Sequence, residues 1–256
     1  MAGRVGVARG ILGVLAVLLG ATRAAELLIF VENPGGQILQ ENITTFGQHI
    51  IISFDRQDSS AVTLWYDYAN GVQIFRFLLS GEEELGQGGV TRAVCYATFF
   101  DRESLVPVNA MYKLRQRNAN VVRFAEWDKG REEIYLDRKI ETVSADALSE
   151  QLASLCADTE YIYTRQTDLQ SWMSSKGAPK LTALNTSKVL LKPAQQVHCS
   201  SDPAPWAPCA CRLTACIHWY PCALRYCENN GVCGIRTCSK CYDMYHTEDG
   251  RRRCII

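Results

Sequence analysis

"AVTLWYDYANGVQIFRFLL", Ala61–Leu79, decides the fold class. Two runs rich in β-branched and aromatic residues flank Asn70-Gly71, a pair that suits the positive-φ positions of a tight hairpin. Upstream, "AELLIFVENPGGQILQENIT" (residues 25–44) reads as a strand, a turn at Asn33 to Gly36 and a returning strand, and "HIIISF" (residues 49–54) adds another. Downstream, "SGEEELGQGG" (residues 80–89) lacks the length and apolar pattern of a core element, so it reads as an exposed turn or loop before the strand "TRAVCYATFF" (residues 91–100). Antiparallel sheet therefore dominates the first half.

Helices follow. Pro107 opens one running toward Arg117, because a proline in the first turn lacks only an N–H that would have no intrahelical partner. Met111 and Leu114 share its apolar face, and "NAN" (residues 118–120) ends it. "VVRFAEW" (residues 121–127) suits strand or helix, and "EIYLDRKIETV" (residues 133–143) reads as strand. Ser144 caps a second helix, "ADALSEQLASLC", whose Leu148, Leu152 and Leu155 recur on one face, with Cys156 at its end. A Cys95–Cys156 bridge would tie that helix to the strand holding Cys95. "EYIYTRQTDLQSWM" (residues 160–173) fits either strand or helix.

The chain's start bears on compartment. Arg4 and Arg9 precede the apolar "ILGVLAVLL", Ile11–Leu19, and small residues surround Thr22 and Ala24, the pattern of a secretory signal peptide over residues 1–24. The apolar stretch is too short to span a bilayer, and no second run of membrane length follows, so no stable membrane insertion is expected. Without Arg4, Arg9 and Arg23 the balance becomes 24 basic against 27 acidic residues, which gives no general attraction to nucleic acid. Asn42-Ile-Thr44 and Asn185-Thr-Ser187 match the N-glycosylation acceptor pattern, so Asn42 and Asn185 are candidate glycan sites on exposed segments.

All twelve cysteines follow this signal, and an even number in an oxidising compartment favours disulfides. Only Cys95 and Cys156 lie in residues 25–197; Cys199, Cys209, Cys211, Cys216, Cys222, Cys227, Cys233, Cys238, Cys241 and Cys254 crowd the last 58 residues. The expected organisation is an α+β domain over 25–172, a linker over 173–198 and a disulfide-stapled module over 199–256. The module shows little continuous hydrophobic periodicity, so covalent bonds are expected to replace much of its missing burial.

Other chemistry fits less well. "CAC" (residues 209–211) and "CSKC" (residues 238–241) imitate zinc-ligand pairs, but their irregular gaps do not give two matched halves, and no metal or other cofactor is expected. "CSKC" also has redox spacing, without the preceding strand and alternation of a thioredoxin-like centre. No Ser-His-Asp arrangement is recognisable, and His218 in "IHWYPC" reads as a packed or surface residue, so no enzyme is expected. Arg251, Arg252 and Arg253 offer three guanidinium groups for a sulfated polysaccharide or an acidic receptor, against the commoner reading as ordinary surface. Trp219 and Tyr220 offer a rigid aromatic contact, against the favoured reading as packing between bridges.

"VQIFRFLL", "AVCYATFF", "AMYKLRQRNA", "YIYTRQTDLQSW", "WYPCALRYC" and "CGIRTC", in that order, resemble the Out at first family of secreted animal proteins. The resemblance covers nearly all of the chain after the signal and implies a BRICHOS-like region followed by a cysteine-rich one. BRICHOS domains have a sheet flanked by two helices and a bridge from a strand to the end of the second helix, positions that Cys95 and Cys156 fit. Some relatives lack counterparts of Cys216 and Cys241, which implies that these two pair with each other. Asp67 loosely matches the carboxylate found in many BRICHOS sheets; a structural or solvated acid is the favoured reading over a conformational switch.

The expected function is a secreted, non-enzymatic extracellular interaction protein, with the developmental setting drawn from the family name and the partner an unidentified extracellular protein or peptide. The alternative is a BRICHOS-like chaperone that shields strand-forming peptides, although the chain departs from BRICHOS precursors in having a cleavable signal and no evident client segment.

Overall fold

The computed structural model describes residues 25–254 apart from 34, 57, 81–90, 117, 119, 177–180, 190–192, 202–203, 205 and 228–230. The expected signal peptide over 1–24 lies outside the described residues, as does the expected loop over 80–89 apart from Ser80, which ends β5. Ten strands form one sheet: β1 (Ala25–Glu32), β2 (Ile38–Phe46), β3 (His49–Asp55), β4 (Ala61–Asp67), β5 (Val72–Ser80), β6 (Thr91–Phe99), β7 (Val122–Arg123), β9 (Arg138–Glu141), β10 (Tyr161–Thr164) and β11 (Thr186–Lys188). Their order is β11-β9-β10-β6-β5-β4-β3-β2-β1-β7. The pairs are antiparallel except β1 with β7 and β10 with β6. β1 to β6 form an uninterrupted meander, as short connections between alternating strands dictate.

The Asn70-Gly71 turn differs from a two-residue hairpin. Tyr68 to Gly71 form a four-residue loop in which Gly71 alone takes positive φ, at 66°. Buried Asp67 sets it, accepting from the Asn70 backbone N at 2.9 Å and Asn70 Nδ2 at 2.6 Å.

The sheet buries both faces over part of its width. On one side Ile74, Cys95, Ile140 and Ile162 pack under Leu152 of α2 (Glu150–Leu155), Leu148 just before it, and Leu169 and Trp172 of α3 (Gln166–Lys176). Trp172 is fully buried and its Nε1 donates to the Gly71 carbonyl at 2.8 Å.

The helix boundaries depart from expectation. The helix from Pro107 stops after one turn, α1 (Val108–Met111), with Pro107 as its N-cap rather than its first residue. Thereafter the Gln116 side chain is drawn to β1, accepting from the Leu28 backbone N at 2.9 Å, which competes with helix continuation. Ser144 does not cap α2: a 3-10 turn spans Thr142–Ala147, and the cap is Ser149, whose Oγ accepts from the Leu152 N. Ser149 Oγ also donates to Asp67 Oδ2 at 2.8 Å, so the cap that starts α2 doubles as an anchor to the sheet. Residues 160–173, which suited either state, contain both β10 and the start of α3.

The stretch 133–143 is broken by Leu136 and Asp137 into two strands of different sheets. β9 joins the large sheet, whereas β8 (Trp127–Tyr135) pairs in parallel with β13 (Val232–Glu248), which pairs antiparallel with β12 (Cys209–Tyr226). This three-stranded sheet has the order β12-β13-β8 and lies over the other face of the ten-stranded one. Leu213, Ala215, Ile217 and Trp219 of β12 and Met244 of β13 share a core with Ile29, Ile43, Ile52, Leu64 and Phe75. The cysteine-rich region thus has a period-2 apolar face, contrary to the expectation that crosslinks stand in for burial. Each fully buried side chain of this size is worth roughly 1.5–3 kcal/mol.

Candidate functional site

The disulfides define the frame around the site. Cys95 on β6 bonds Cys156 at the end of α2. Cys199 bonds Cys209 and Cys211 bonds Cys254, four residues that form a small buried cluster at the foot of the hairpin. Cys216 bonds Cys241 directly across the β12–β13 ladder, Cys222 bonds Cys238, and Cys227 bonds Cys233. The Cys211–Cys254 bond holds the turn Arg251–Arg253 beside the end of β13, and there the ten-stranded sheet meets the hairpin in a cleft of about 700 Å³.

β6, β10, β9 and β11 supply one wall, and Thr247 to Asp249 with Arg253 supply the other. Beneath it lies a polar chain built from both sheets. Tyr96 is fully buried and His246 is 1% exposed; the Tyr96 hydroxyl lies 2.9 Å from His246 Nδ1, and His246 Nε2 lies 3.1 Å from Glu248 Oε1. Arg92 Nη2 reaches Glu248 at 2.5 Å, and its Nη1 donates to the Arg253 carbonyl. Burial holds His246 below the usual histidine range, more strongly than Glu248 raises it. A neutral ring therefore donates from Nε2 to the carboxylate and accepts the tyrosine O–H at Nδ1. Glu248 is held below its usual range: burial pushes it up, but His246 and the Arg92 guanidinium together outweigh that.

This chain is a support, because Tyr96 and His246 are out of reach of solvent. Stability should fall with it on acidification. A histidine whose folded pKa lies below its unfolded value of about 6.5 contributes stability that is present above that value and lost below it. His49, also lowered by burial against a smaller raising effect of Asp67, acts in the same direction. Urea unfolding at about pH 7.5 and about pH 5.5 should differ, with up to about 1.4 kcal/mol lost per histidine. His246→Gln should flatten part of that slope; an unchanged slope would remove His246 as a source.

The cleft rim carries the exposed chemistry. Arg253 pairs with Asp249 at 3.2 Å with both side chains largely in solvent, and Asp158 pairs outward with Arg76 at 2.7 Å. Lys139 stands over Tyr161 and Tyr163 at 5.0 and 5.4 Å from their ring centres. Among the described residues Lys139 and Lys188 have no carboxylate partner. Glu160 also lines the cleft, and this mixed charged surface suits a polar, extended ligand better than a small apolar one.

The expected contact residues separate. Arg251 and Arg253 are exposed, and the backbone of Arg252 lies between them in the same turn. Trp219 and Tyr220 are 6% and 3% exposed and sit in the shared core. Asn185 is exposed just before β11, whereas Asn42 is half-buried within β2. No group of three or more metal-ligating side chains converges among the described residues, and no described helix is long and apolar enough to cross a membrane.

Sequence reading missed Glu41. It is completely buried on the core face of β2, and β12 bulges above it between Ile217 and Tyr220. The two bulge amides find their acceptor there: His218 N donates to Glu41 Oε1 at 2.7 Å and Trp219 N to Oε2 at 3.1 Å. The signal was a glutamate at an inward position of the alternation Leu39, Glu41, Ile43, Thr45.

Two family models match the chain: Out at first over residues 25–172, and Out at first, C-terminal, over residues 198–256. An Out at first protein of Drosophila virilis is 34% identical over 251 residues, covering 90% of this chain and 82% of that protein. That of Drosophila melanogaster is 33% identical over 252 residues, covering 90% of this chain, which spans about half (51%) of that relative's length. No solved structure matches. Both regions that meet at the cleft thus carry the marks of one family, and the chain belongs to the Out at first family.

Proposed function

We propose that the chain is a secreted, non-enzymatic extracellular interaction protein, acting in signalling of the developmental kind that the family name suggests. The observation that carries this reading is the disulfide-stapled hairpin that forms one wall of the cleft. Six disulfides use all twelve cysteines: one ties α2 to the ten-stranded sheet, and five lie within residues 199–254 and fix the hairpin and the arginine turn, which Arg92–Glu248 and Tyr96–His246 hold against the sheet as one pre-organised surface. Thiols oxidised at this density belong to an oxidising compartment, which supports residues 1–24 as a signal peptide and Asn42 and Asn185 as glycan acceptors. The partner is an extracellular protein or peptide presenting acidic groups, with sulfated polysaccharide a second candidate for the same rim.

The chaperone alternative draws on the Cys95–Cys156 bridge between a strand and a helix end, which supports a BRICHOS-like reading. Its strand-addition mechanism needs a long open edge, and the edges weigh against it. β7 has two residues, and β11 has three and directly follows the glycan acceptor Asn185. β8 carries Asp128, Lys129, Arg131, Glu132 and Glu133 around Gly130, which kinks it at φ 74°. β12 is interrupted by its bulges and by Pro221, whose carbonyl accepts from Val106 N at 3.2 Å.

Purified protein applied to cells with and without heparinase treatment tests the reading. Saturable cell-surface binding that Lys188→Glu weakens several-fold is expected. Absence of saturable binding, with suppression of peptide fibrillation instead, would favour the chaperone.

A further inference from the structure

β11 ends the ten-stranded sheet, and it is the one edge strand of that sheet preceded by a glycan acceptor. Its pairing uses one side only: Thr186 lies opposite Ile140, Ser187 opposite Lys139 and Lys188 opposite Arg138. Asn185 and all three strand residues are exposed. An exposed terminal strand presents unpaired N–H and C=O groups to any extended chain that meets it, a liability that proteins meet by shortening, charging, bending or covering the edge. β8 is charged and kinked at Gly130, β12 is interrupted by bulges and Pro221, and β7 has only two residues. β11 has no proline, no bulge and one charged residue, Lys188.

We propose that Asn185 carries an N-linked oligosaccharide whose role is to close the β11 edge against strand addition; this rests on the secretory reading above. The side chain is placed for it. Asn185 Nδ2 donates to Glu141 Oε2 at 3.2 Å, and the Asn185 backbone N donates to Ser144 Oγ at 3.0 Å, so the acceptor amide is held at the surface beside β9. A primary amide has two N–H bonds, so substitution of one leaves the other for Glu141. In the transfer, Nδ2 bonds to C1 of the reducing-end sugar of a lipid-linked diphosphate oligosaccharide. The C1–O bond breaks, the lipid diphosphate leaves with the bonding pair, and the amide loses one proton to solvent. The other acceptor is differently placed. Asn42 lies between β1 and β3, half-buried, with Nδ2 bonded to Glu26, so a sugar there would cover a face and leave both edges as they are.

The test uses the full chain expressed in secreting cells and collected from the medium. Enzymatic removal of N-glycans in heavy-oxygen water, followed by peptide mapping, should mark residue 185 with the isotopic shift of conversion to aspartate. Ser187→Ala removes the acceptor while keeping Asn185, and it should lose that mark and shift the secreted protein toward larger assemblies in light scattering. Ser187→Thr should keep the mark and the wild-type size. Protein in the medium with residue 185 unmarked, or a marked wild type whose Ser187→Ala variant keeps its size, would overturn the edge role and leave the secretory reading standing. A chain retained inside the cell with both acceptors unmarked would overturn the two together.

Discussion

Glu41→Ala is expected to lower the unfolding free energy by about 1–3 kcal/mol through the buried Trp219 amide it orphans, with a smaller further loss at the part-buried His218 amide. The strength of the effect follows from where the β12 bulge sits. Antiparallel pairing with β13 lapses between Ile217 and Tyr220, so His218 N and Trp219 N look away from the ladder and toward β2. Glu41 is 0% exposed, and its Oε1 also lies 3.1 Å from His218 Nδ1, so alanine removes the partner of that ring as well as of the amides. Glu41→Gln, which keeps one oxygen for one amide, should fall between the two. Equilibrium denaturation in urea measures both; a Glu41→Ala variant within about 0.5 kcal/mol of the parent would mean that the bulge is satisfied in another way.

Replacing Cys95 and Cys156 together with alanine should cost about 4 kcal/mol, against about 2 kcal/mol for the Cys227–Cys233 pair, since chain entropy scales with the closed loop. Their sequence separations are 61 and 6 residues. The larger figure has a structural counterpart. α2 has six residues, too few to be helical unaided, and it is held by Ser149 at one end and Cys156 at the other. Losing the bridge should therefore expose Leu148 and Leu152 above Ile74 and Ile162 as well as loosening the unfolded chain. Guanidinium midpoints of the two double variants check the order; equal losses would argue that native-state packing, rather than loop length, sets the value of these bonds.

The meander from β1 to β6 was legible because each strand's alternation and each turn's chemistry are local. Helix ends were not. Ser144 and Ser149 both stand before apolar residues, and only Asp67, 82 residues from Ser149, selects the second as the cap. The longest strands were overlooked for a related reason. The cysteines mask an alternation in which Leu213, Ala215 and Ile217 are buried at every second position along β12 up to its bulge. Arg253 at the cleft was visible as part of a charge run. Tyr96, His246 and Glu248 were not, because their meeting depends on β13 crossing β6 from 150 residues away, which no local pattern encodes.

The ten-stranded sheet and the disulfide-rich hairpin share a core, with Glu41 as a polar joint between them, and should therefore unfold as one cooperative body. Hydrogen exchange with mass spectrometry on the oxidised parent and on Glu41→Ala tests it most directly. Peptides from β2 to β5 and from β12 and β13 should lose protection together and by a similar free energy. Protection lost from the hairpin peptides alone, with the sheet unchanged, would contradict it.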